Sequence, residues 1–356
     1  FKIDKTPVLG DVFDKNLLLQ LTKSKVLALV CDSTNVFSEH SGRSEASLVK
    51  SITNLIKVQK GVVVATTFAS NVARLLTLAK CAQTTGRSIL VLGRAMQTMI
   101  SNASSAGLLI NFPSIVSVEE ALTLPRSNLF ILATGSQGEG RAVSAQLAKD
   151  KYMDIILEEG DCFLFSSKTI PGNEVAVNKV INGLMERSID VIDDQNGQYH
   201  VSGHANRPDL IALHQIFDPK IVIPMHGEPR HLREHEKLAR SQGFNSVVVP
   251  NGSVLEINID GMASIVDQVT VGRMYFDSGS LLRSSDETVK TRLQMATRGQ
   301  LSVSLLFEND AVLERGIWVK SKGLPKENSR DSDIDLMLEE ALEIAFSATG
   351  ENDLYD

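Results

Sequence analysis

The sequence is poor in cysteine and has no long hydrophobic run. Its cysteines, Cys31, Cys81 and Cys162, are odd in number and widely spaced, without a CxxC pair or a zinc knuckle. This pattern argues against a disulfide framework and favours buried, reduced thiols in a cytoplasmic protein. No segment approaches the roughly 20 apolar residues of a membrane-spanning helix, and the first residues lack the basic and apolar regions of a signal peptide.

Positive charge is not in excess either. The 36 Lys and Arg residues against 43 Asp and Glu give a net charge of −7, which argues against non-specific nucleic-acid binding over the whole surface. A local phosphate-binding cleft remains compatible with this balance. The 356 residues, 43% hydrophobic and 22% charged, suffice for two or three globular domains. Because the chain begins with Phe1 rather than Met, we expect a fragment or a processed chain.

Short apolar runs alternate with amphipathic stretches between about residues 25 and 250. Helical periodicity is present, for example, at residues 69–85 and 175–187. The alternation predicts an α/β fold in which helices cover the faces of a sheet. The predicted strands are residues 26–31, 61–66, 88–92, 128–133, 161–165, 189–192, 221–223 and 246–249.

Polar loops directly follow five of these predicted strands, at residues 32–35, 67–71, 93–94, 134–139 and 166–174. A single loop of this kind is explained by ordinary turn and helix-capping chemistry. Open α/β sheets bind ligands at the carboxyl ends of their strands, so five such loops predict one shared site. Loop 134–139 contains two glycines and could form an anion-binding nest, although it is not a Walker A motif.

The pattern changes after about residue 270. Strands are predicted at residues 299–307 and 316–319, a polar linker at 323–333 and an acidic amphipathic helix at 333–347. These elements predict a small α+β domain.

Six of the seven histidines lie within residues 200–235, which suggests metal binding or acid–base chemistry. In an extended strand, His200, Ser202 and His204 would project from one face. Gly203 would let the backbone approach a ligand closely. This set suits a phosphate, and the alternative is that the histidines cap neighbouring backbone.

Another histidine, His226, stands at the end of the apolar run 221–223 and is followed by Gly227. A strand end fixes the position of a side chain, which suits a metal ligand, although a purely structural role is equally open. His231 and His235 have the spacing of a helical zinc pair. Leu232 stands where the HExxH motif has its glutamate, so we expect a solvated or capping helix face instead.

Taken in order, these segments resemble ribonuclease J, of the β-CASP branch of the metallo-β-lactamase superfamily. The resemblance covers residues 1–285, and its most diagnostic part is Val-Ser-Gly-His at 201–204 with Pro-Met-His-Gly-Glu at 224–228. It implies a metallo-β-lactamase αβ/βα domain, residues 1–43 and 210–284, interrupted by a β-CASP α/β domain, residues 44–209. A small α+β C-terminal domain, residues 285–356, would follow. The matching pieces are residues 1–7, 31–35, 66–71, 92–96, 133–139, 165–174, 200–204 and 224–228.

The resemblance also implies roles for individual residues. Asp32 matches an acid near the metal centre, His204 a second catalytic residue, and His226 a zinc ligand. Ser136 and Ser166 lie in loops that face the same cleft, without a definite role. The strip that grips RNA phosphates comprises His200, Val201, Ser202, Gly203 and His204.

The implied activity is zinc-dependent hydrolysis of RNA, internally and in the 5′ to 3′ direction, in RNA processing and decay. The expected partners are 5′-monophosphorylated single-stranded RNA and further copies of the chain, in a dimer or tetramer. The family's reaction uses two zinc ions and a bridging hydroxide that attacks phosphorus. The expected location is the cytoplasm, without membrane attachment.

Two departures from the family pattern bear on activity. The family's HxHxDH motif, a further histidine and a bridging aspartate all precede the segment that matches Phe1, which leaves His226 as the one ligand placed here. We therefore expect this chain alone not to hold two zinc ions tightly. Gly140 stands where proline is usual. The alternatives are a non-catalytic RNA-binding or interaction fragment and, disfavoured by the β-CASP-like segments, a hydrolase of small esters or amides.

Overall fold

The computed structural model describes residues 2–194, 197–308, 311–324 and 333–348. The chain divides into two compact units, Phe1–Asp267 and Gln268–Asp356. No helix within the described residues is long and apolar enough to cross a membrane.

The α-helices of the described residues are α1 Lys15–Leu21, α2 Val49–Val58, α3 Val72–Thr84, α4 Arg94–Ser105, α5 Val118–Thr123, α6 Val143–Lys149, α7 Glu174–Met185, α8 Arg207–Phe217, α9 Pro229–Ser241, α10 Glu287–Arg298 and α11 Ile334–Ala348. The strands are β1 Ala28–Asp32, β2 Val63–Thr66, β3 Ser88–Leu92, β4 Leu129–Ala133, β5 Lys151–Tyr152, β6 Ile155–Ile156, β7 Cys162–Phe165, β8 Asp190–Ile192, β9 Ile221–Met225, β10 Asn245–Ser246, β11 Ser253–Ile257, β12 Ala263–Gln268, β13 Met274–Asp277, β14 Ser280–Arg283, β15 Gln300–Glu308 and β16 Ala311–Lys322.

The larger sheet of the first unit has five parallel strands in the order β3-β4-β2-β7-β8. Alternate residues of each strand enter two different cores, as Val63 and Ala65 of β2 do on one face and Val64 on the other. Both faces are covered, which explains why these strands read as continuous apolar runs.

A second, three-stranded parallel sheet has the order β1-β9-β10. Its core includes Cys31 of β1, Leu210 and Leu213 of α8, and Leu238 of α9. The three cysteines are free and buried, as expected.

The sequence placed most of these strands correctly, including β3 and the neighbourhood of β1, β2, β4, β7, β8 and β9. The prediction of a strand at residues 246–249 was wrong: β10 is only Asn245–Ser246 and pairs with Ile221 and Val222 of β9. The Val247 N–H still donates to the Val222 carbonyl at 3.4 Å, but residues 247–250 are not strand, and Pro250 has no backbone N–H with which to extend the ladder.

The second unit contains two antiparallel hairpins, β13-β14 and β15-β16, with the helices α10 and α11. Asp335 of α11 accepts hydrogen bonds from the backbone and hydroxyl of Ser321 in β16. The predicted α+β character and acidic terminal helix are confirmed. Most of the linker predicted at residues 323–333 lies outside the described residues, and the four-part domain division stays a prediction.

One glycine fixes how loop 134–139 meets helix α7. Gly138 has a φ of 74°, and a β-carbon there would lie 2.3 Å from the carbonyl carbon of Ala176 in α7. No other residue fits both the left-handed backbone and this close approach.

Gly138→Ala is therefore expected to lower the free energy of unfolding by about 2–4 kcal/mol, through backbone strain and displacement of α7. Urea denaturation measures this change. Gly140→Ala is the matched control, because nothing lies within 4 Å of its β-carbon position. Equal stabilities of the two variants would contradict the account.

Candidate active site

Strand pairing brings Asp32 and His226 together. β1 and β9 are parallel, with Asp32 opposite Met225, so the residues that follow both strands emerge at the same edge. The Ser33 backbone N–H donates to the Met225 carbonyl at 2.9 Å. His226 comes next and adopts a left-handed φ of 54°, a conformation that costs a non-glycine residue energy and is often found at functional sites. Its Nδ1 lies 3.4 Å from Asp32 Oδ1.

Thr34 orients this pair. Its backbone N–H and hydroxyl both donate to Asp32 Oδ1, at 2.8 and 2.7 Å. The Thr34 hydroxyl has only one hydrogen, and Asp32 accepts it. In the 2.9 Å hydrogen bond between this hydroxyl and His226 Nδ1, the donor is therefore the histidine N–H. His226 Nε2 therefore carries a lone pair, and it has no hydrogen-bond partner among the described residues. Burial raises the pKa of Asp32, but the hydrogen bonds from Thr34 and His204 outweigh it, and the pKa lies below its ordinary value.

His204 completes the group from a distant part of the chain. Its Nδ1 lies 2.5 Å from Asp32 Oδ2, and its ring stacks on that of His226 with the ring centres 5.3 Å apart. Because the anionic carboxylate accepts from Nδ1–H, Nε2 of His204 is left for other chemistry. The three predicted site residues Asp32, His204 and His226 thus meet at one place.

The segment that carries His204 is not a strand, so the expectation that His200, Ser202 and His204 share one strand face was wrong. Asn35 holds the segment instead, by donating to Ser202 Oγ at 3.0 Å and to Asn206 Oδ1 at 3.0 Å. Ser202 Oγ also accepts from the His204 backbone N–H. A loop built on side-chain hydrogen bonds lacks the two-residue period of a strand.

A buried arginine fixes the start of this segment. Arg74 of α3 is fully buried and forms a two-pronged ion pair with Glu45, at 2.5 and 2.8 Å. It also donates to the Ser166 carbonyl and hydroxyl, and to Nδ1 of His200 at 3.2 Å. Ser166 in turn donates to the Tyr199 carbonyl at 2.6 Å. Ser166 is therefore a buried link to the segment rather than a group in the open cleft.

His200 is neutral as a result. Burial, together with the positive charge of Arg74, lowers the pKa of His200 to about 4. Since Nδ1 accepts from Arg74, the ring proton resides on Nε2, which makes His200 an uncharged donor.

A cavity of about 510 Å³ is lined in part by His204, one of the three site residues. Its lining includes the cationic side chains of Arg43 and Lys168, the polar side chains of His200 and Ser202, and one carboxylate, that of Asp194. The basic and hydrogen-bonding lining suits a phosphate group, although the protein as a whole is acidic.

Other members of the predicted strip contribute less directly. The Val201 side chain is buried and joins the core of the larger sheet, whereas Gly203 has open space at its β-carbon position. In loop 134–139, the N–H of Gln137 donates to Glu139 and that of Gly138 donates to the Gly135 carbonyl. These donors are already used, so the loop does not form the anion-binding nest suggested by its glycines.

The side chains of the site are of the types that bind metal ions. Two groups among the described residues could hold one: Asp32 with His204 and His226, and Cys31 with His214 and His235. One carboxylate and two imidazoles are typical ligands of catalytic zinc. The Asp32 oxygens are already bonded to Thr34 and His204, which leaves the Nε2 atoms of His204 and of the well-exposed His226 as the donor atoms that no described residue occupies.

The expectation for α9 was wrong in part. His235 is fully buried rather than on a solvated face, and its Nε2 lies 3.1 Å from Nε2 of the equally buried His214. His231 packs edge-on against Phe37. Helical spacing places His231 and His235 on one side of α9, but the cover supplied by α8 is a tertiary contact that the spacing does not reveal.

Comparison with known proteins places this chain among named families. Residues 60–184 match the model of the ribonuclease J β-CASP domain, and residues 192–250 match that of the Zn-dependent metallo-hydrolase RNA specificity domain. A ribonuclease J of Sinorhizobium meliloti is 37% identical over 87% of this chain and 55% of its own length. A ribonuclease J of Synechocystis is 34% identical over 88% of this chain and 49% of its own length. The chain thus spans about half the length of these relatives.

The two parallel sheets and the matched domains define a protein of the β-CASP branch of the metallo-β-lactamase superfamily. Within that branch, the chain belongs to the ribonuclease J family.

Arg74→Met is expected to lower the free energy of unfolding by about 3–5 kcal/mol, because it leaves the buried Glu45 carboxylate without its partner. Adding Glu45→Gln should restore part of the loss. Denaturant titration measures both effects. Lys151→Met, which breaks an exposed pair with Asp154, is the control and should cost at most about 1 kcal/mol. If Arg74→Met lowered the free energy of unfolding by no more than Lys151→Met does, the proposed role of the buried ion pair would be wrong.

Acid should destabilise the fold through the buried histidine pair. Burial lowers the pKa of both His214 and His235, so the folded state keeps them neutral while the unfolded chain takes up protons below about pH 6.5. The contribution of this neutral pair to the free energy of unfolding is therefore fully present above that pH. It is lost as the pH falls, by about 1.4 kcal/mol per pH unit for each proton taken up. Urea titrations between pH 7 and 5 should show that the stability of His235→Gln depends less steeply on pH than that of the unsubstituted protein. Identical slopes for His235→Gln and the unsubstituted protein would refute this assignment.

Proposed function

We propose that this chain supplies the RNA-binding side and one metal ligand of a zinc-dependent ribonuclease. The enzyme would hydrolyse RNA phosphodiester bonds from the 5′ end and internally, in RNA processing and decay. The observation that carries the proposal is the Asp32 carboxylate, held by Thr34 between His204 and His226 beside a basic cavity. Family membership supports RNA as the substrate class, since the matched relatives are named ribonuclease J.

The cavity suits a phosphate of single-stranded RNA. Lys168 contributes positive charge, and the neutral His200 offers its Nε2–H as a donor. We propose 5′-monophosphorylated RNA as the preferred substrate, from the family resemblance together with this lining. A donor that stays uncharged at neutral pH adds direction to phosphate binding without the desolvation cost of another cation.

His204 is placed to move a proton during cleavage. As water attacks phosphorus, a new P–O bond forms and the water releases one proton to the solvent. The bond to the leaving ribose oxygen breaks, and that oxygen takes up a proton. The protonated His204 would donate it from Nε2. Asp32 stabilises the imidazolium by accepting from Nδ1, and its lowered pKa keeps it anionic at neutral pH.

His226 would hold zinc through Nε2. Zinc at this position would supply positive charge near the phosphoryl oxygens and would lower the pKa of a water molecule. Thr34, by accepting from Nδ1–H, fixes the tautomer that leaves Nε2 available to the metal.

We further propose, from the resemblance alone, that the protein acts in the cytoplasm as a dimer or tetramer. Sedimentation equilibrium of the protein as its gene encodes it tests the assembly, and a monomer at all concentrations would contradict it.

Substitution of His226 and substitution of His204 should have different effects on zinc binding and on activity. His226→Ala is expected to abolish cleavage of 5′-monophosphorylated RNA together with loss of zinc, measured by metal analysis of the protein as its gene encodes it. His204→Ala should retain zinc and lower turnover by about 10²–10⁴-fold. His231→Gln, on a histidine outside the group, should retain both metal and activity.

Full activity of His204→Ala would refute its role, and unchanged zinc content in His226→Ala would refute the ligand assignment. If the unsubstituted protein binds RNA but neither binds zinc nor cleaves, the alternative of a non-catalytic RNA-binding or interaction protein replaces the proposal.

A further inference from the structure

A chain of buried polar side chains lies behind the candidate active site. Gln242 Nε2 lies 3.2 Å from His214 Nδ1, His214 Nε2 lies 3.1 Å from His235 Nε2, and His235 Nδ1 lies 2.9 Å from Ser33 Oγ. Ser33, His214 and His235 are fully buried. The chain joins α8 and α9 to the residue between Asp32 and Thr34.

The hydrogen bonds define one arrangement of protons. Gln242 Nε2 also donates to the Leu238 carbonyl at 3.1 Å, which orients the amide with its nitrogen towards His214. His214 Nδ1 must then accept, so its proton lies on Nε2 and is donated to Nε2 of His235. His235 consequently carries its proton on Nδ1 and donates it to Ser33. Both imidazoles are neutral in this arrangement.

Ser33 connects the buried histidine pair to the site. Its backbone N–H is bonded to Met225 and its hydroxyl to His235, so both its main chain and its side chain are fixed. The flanking residues, Asp32 and Thr34, bond to His204 and His226 instead. A small rotation of Ser33 would move the carboxylate that both histidines share.

We propose that His214 and His235 are positioning residues of the active site, a neutral, tautomer-fixed pair that anchors Ser33 and thereby sets the position of Asp32 and Thr34. The inference rests on the proposed function for its catalytic consequence. Neither histidine touches the substrate or the reacting atoms.

The same cluster, with Cys31, has side chains that could bind a metal ion. The hydrogen bonds favour the pair without metal, since the two Nε2 atoms already bond to each other. Burial also raises the pKa of the Cys31 thiol to about 12, which disfavours the thiolate that a metal requires.

The first test needs no activity. In ¹⁵N-histidine-labelled protein, NMR should show His214 protonated only on Nε2 and His235 only on Nδ1 at neutral pH. Protonation on both nitrogens of either ring, or bound zinc that is lost in Cys31→Ser, would overturn the proposal.

The second test measures positioning. His235→Leu should weaken or abolish the downfield Nδ1–H signal of His204, which reports its bond to Asp32. His235→Asn should retain that signal, because an amide nitrogen replaces Nδ1 as donor to Ser33. Leu238→Ala, which removes core packing from the same helix but no hydrogen bond, should also retain it. An unchanged His204 signal in His235→Leu would overturn the proposal even if the protein proves not to cleave RNA.

In the active enzyme, His235→Leu and Ser33→Ala should each lower kcat by about tenfold, the effect of one lost hydrogen bond, with KM little changed. The double variant should lose no more than either single one, because both remove the same contact. His235→Asn and Leu238→Ala should both have the kcat of the unsubstituted protein. Additive losses, or an equal loss in Leu238→Ala, would show general destabilisation and contradict the proposal.

Discussion

The candidate active site depends on the parallel pairing of β1 with β9. This register places Asp32 opposite Met225, so that His226 follows one residue beyond and lies beside the carboxylate. His204 reaches the same carboxylate from 172 positions further along the chain than Asp32. Without this register, one carboxylate could not serve two imidazoles. The left-handed backbone of His226 is strain that the strand and its neighbours must offset.

Buried polar groups hold the loops around this pairing. Arg74 and Glu45 support the segment that leads to His204, and His214 with His235 supports the turn that carries Asp32. In each case an unpaired group would be costly in the low-dielectric interior, which disfavours alternative loop arrangements. The loops are thus ordered by side-chain bonds from the scaffold rather than by strand pairing.

The sequence predicted the strands well because a sheet buried on both faces leaves continuous apolar runs. It also placed His226 at a strand end, and the family resemblance linked that residue with Asp32 and His204. The expectation that His200, Ser202 and His204 share one strand face was wrong, since Asn35, which bonds to this segment, lies far away in sequence. Arg74 was missed because an arginine in an amphipathic helix is usually exposed, and only the tertiary contact with Glu45 reveals its role. The burial of His235 was missed because it, too, depends on a tertiary contact, the one with His214 of α8.

The central claim is that Asp32, His204 and His226 form one side of an RNA-cleaving zinc site. A crystal structure of the protein as its gene encodes it, with zinc and a non-hydrolysable 5′-monophosphorylated RNA, tests this most directly. We expect zinc on Nε2 of His226, and a phosphate within hydrogen-bond distance of His204 Nε2 and His200 Nε2. Zinc bound instead by Cys31, His214 and His235, or RNA bound away from the cavity, would contradict it.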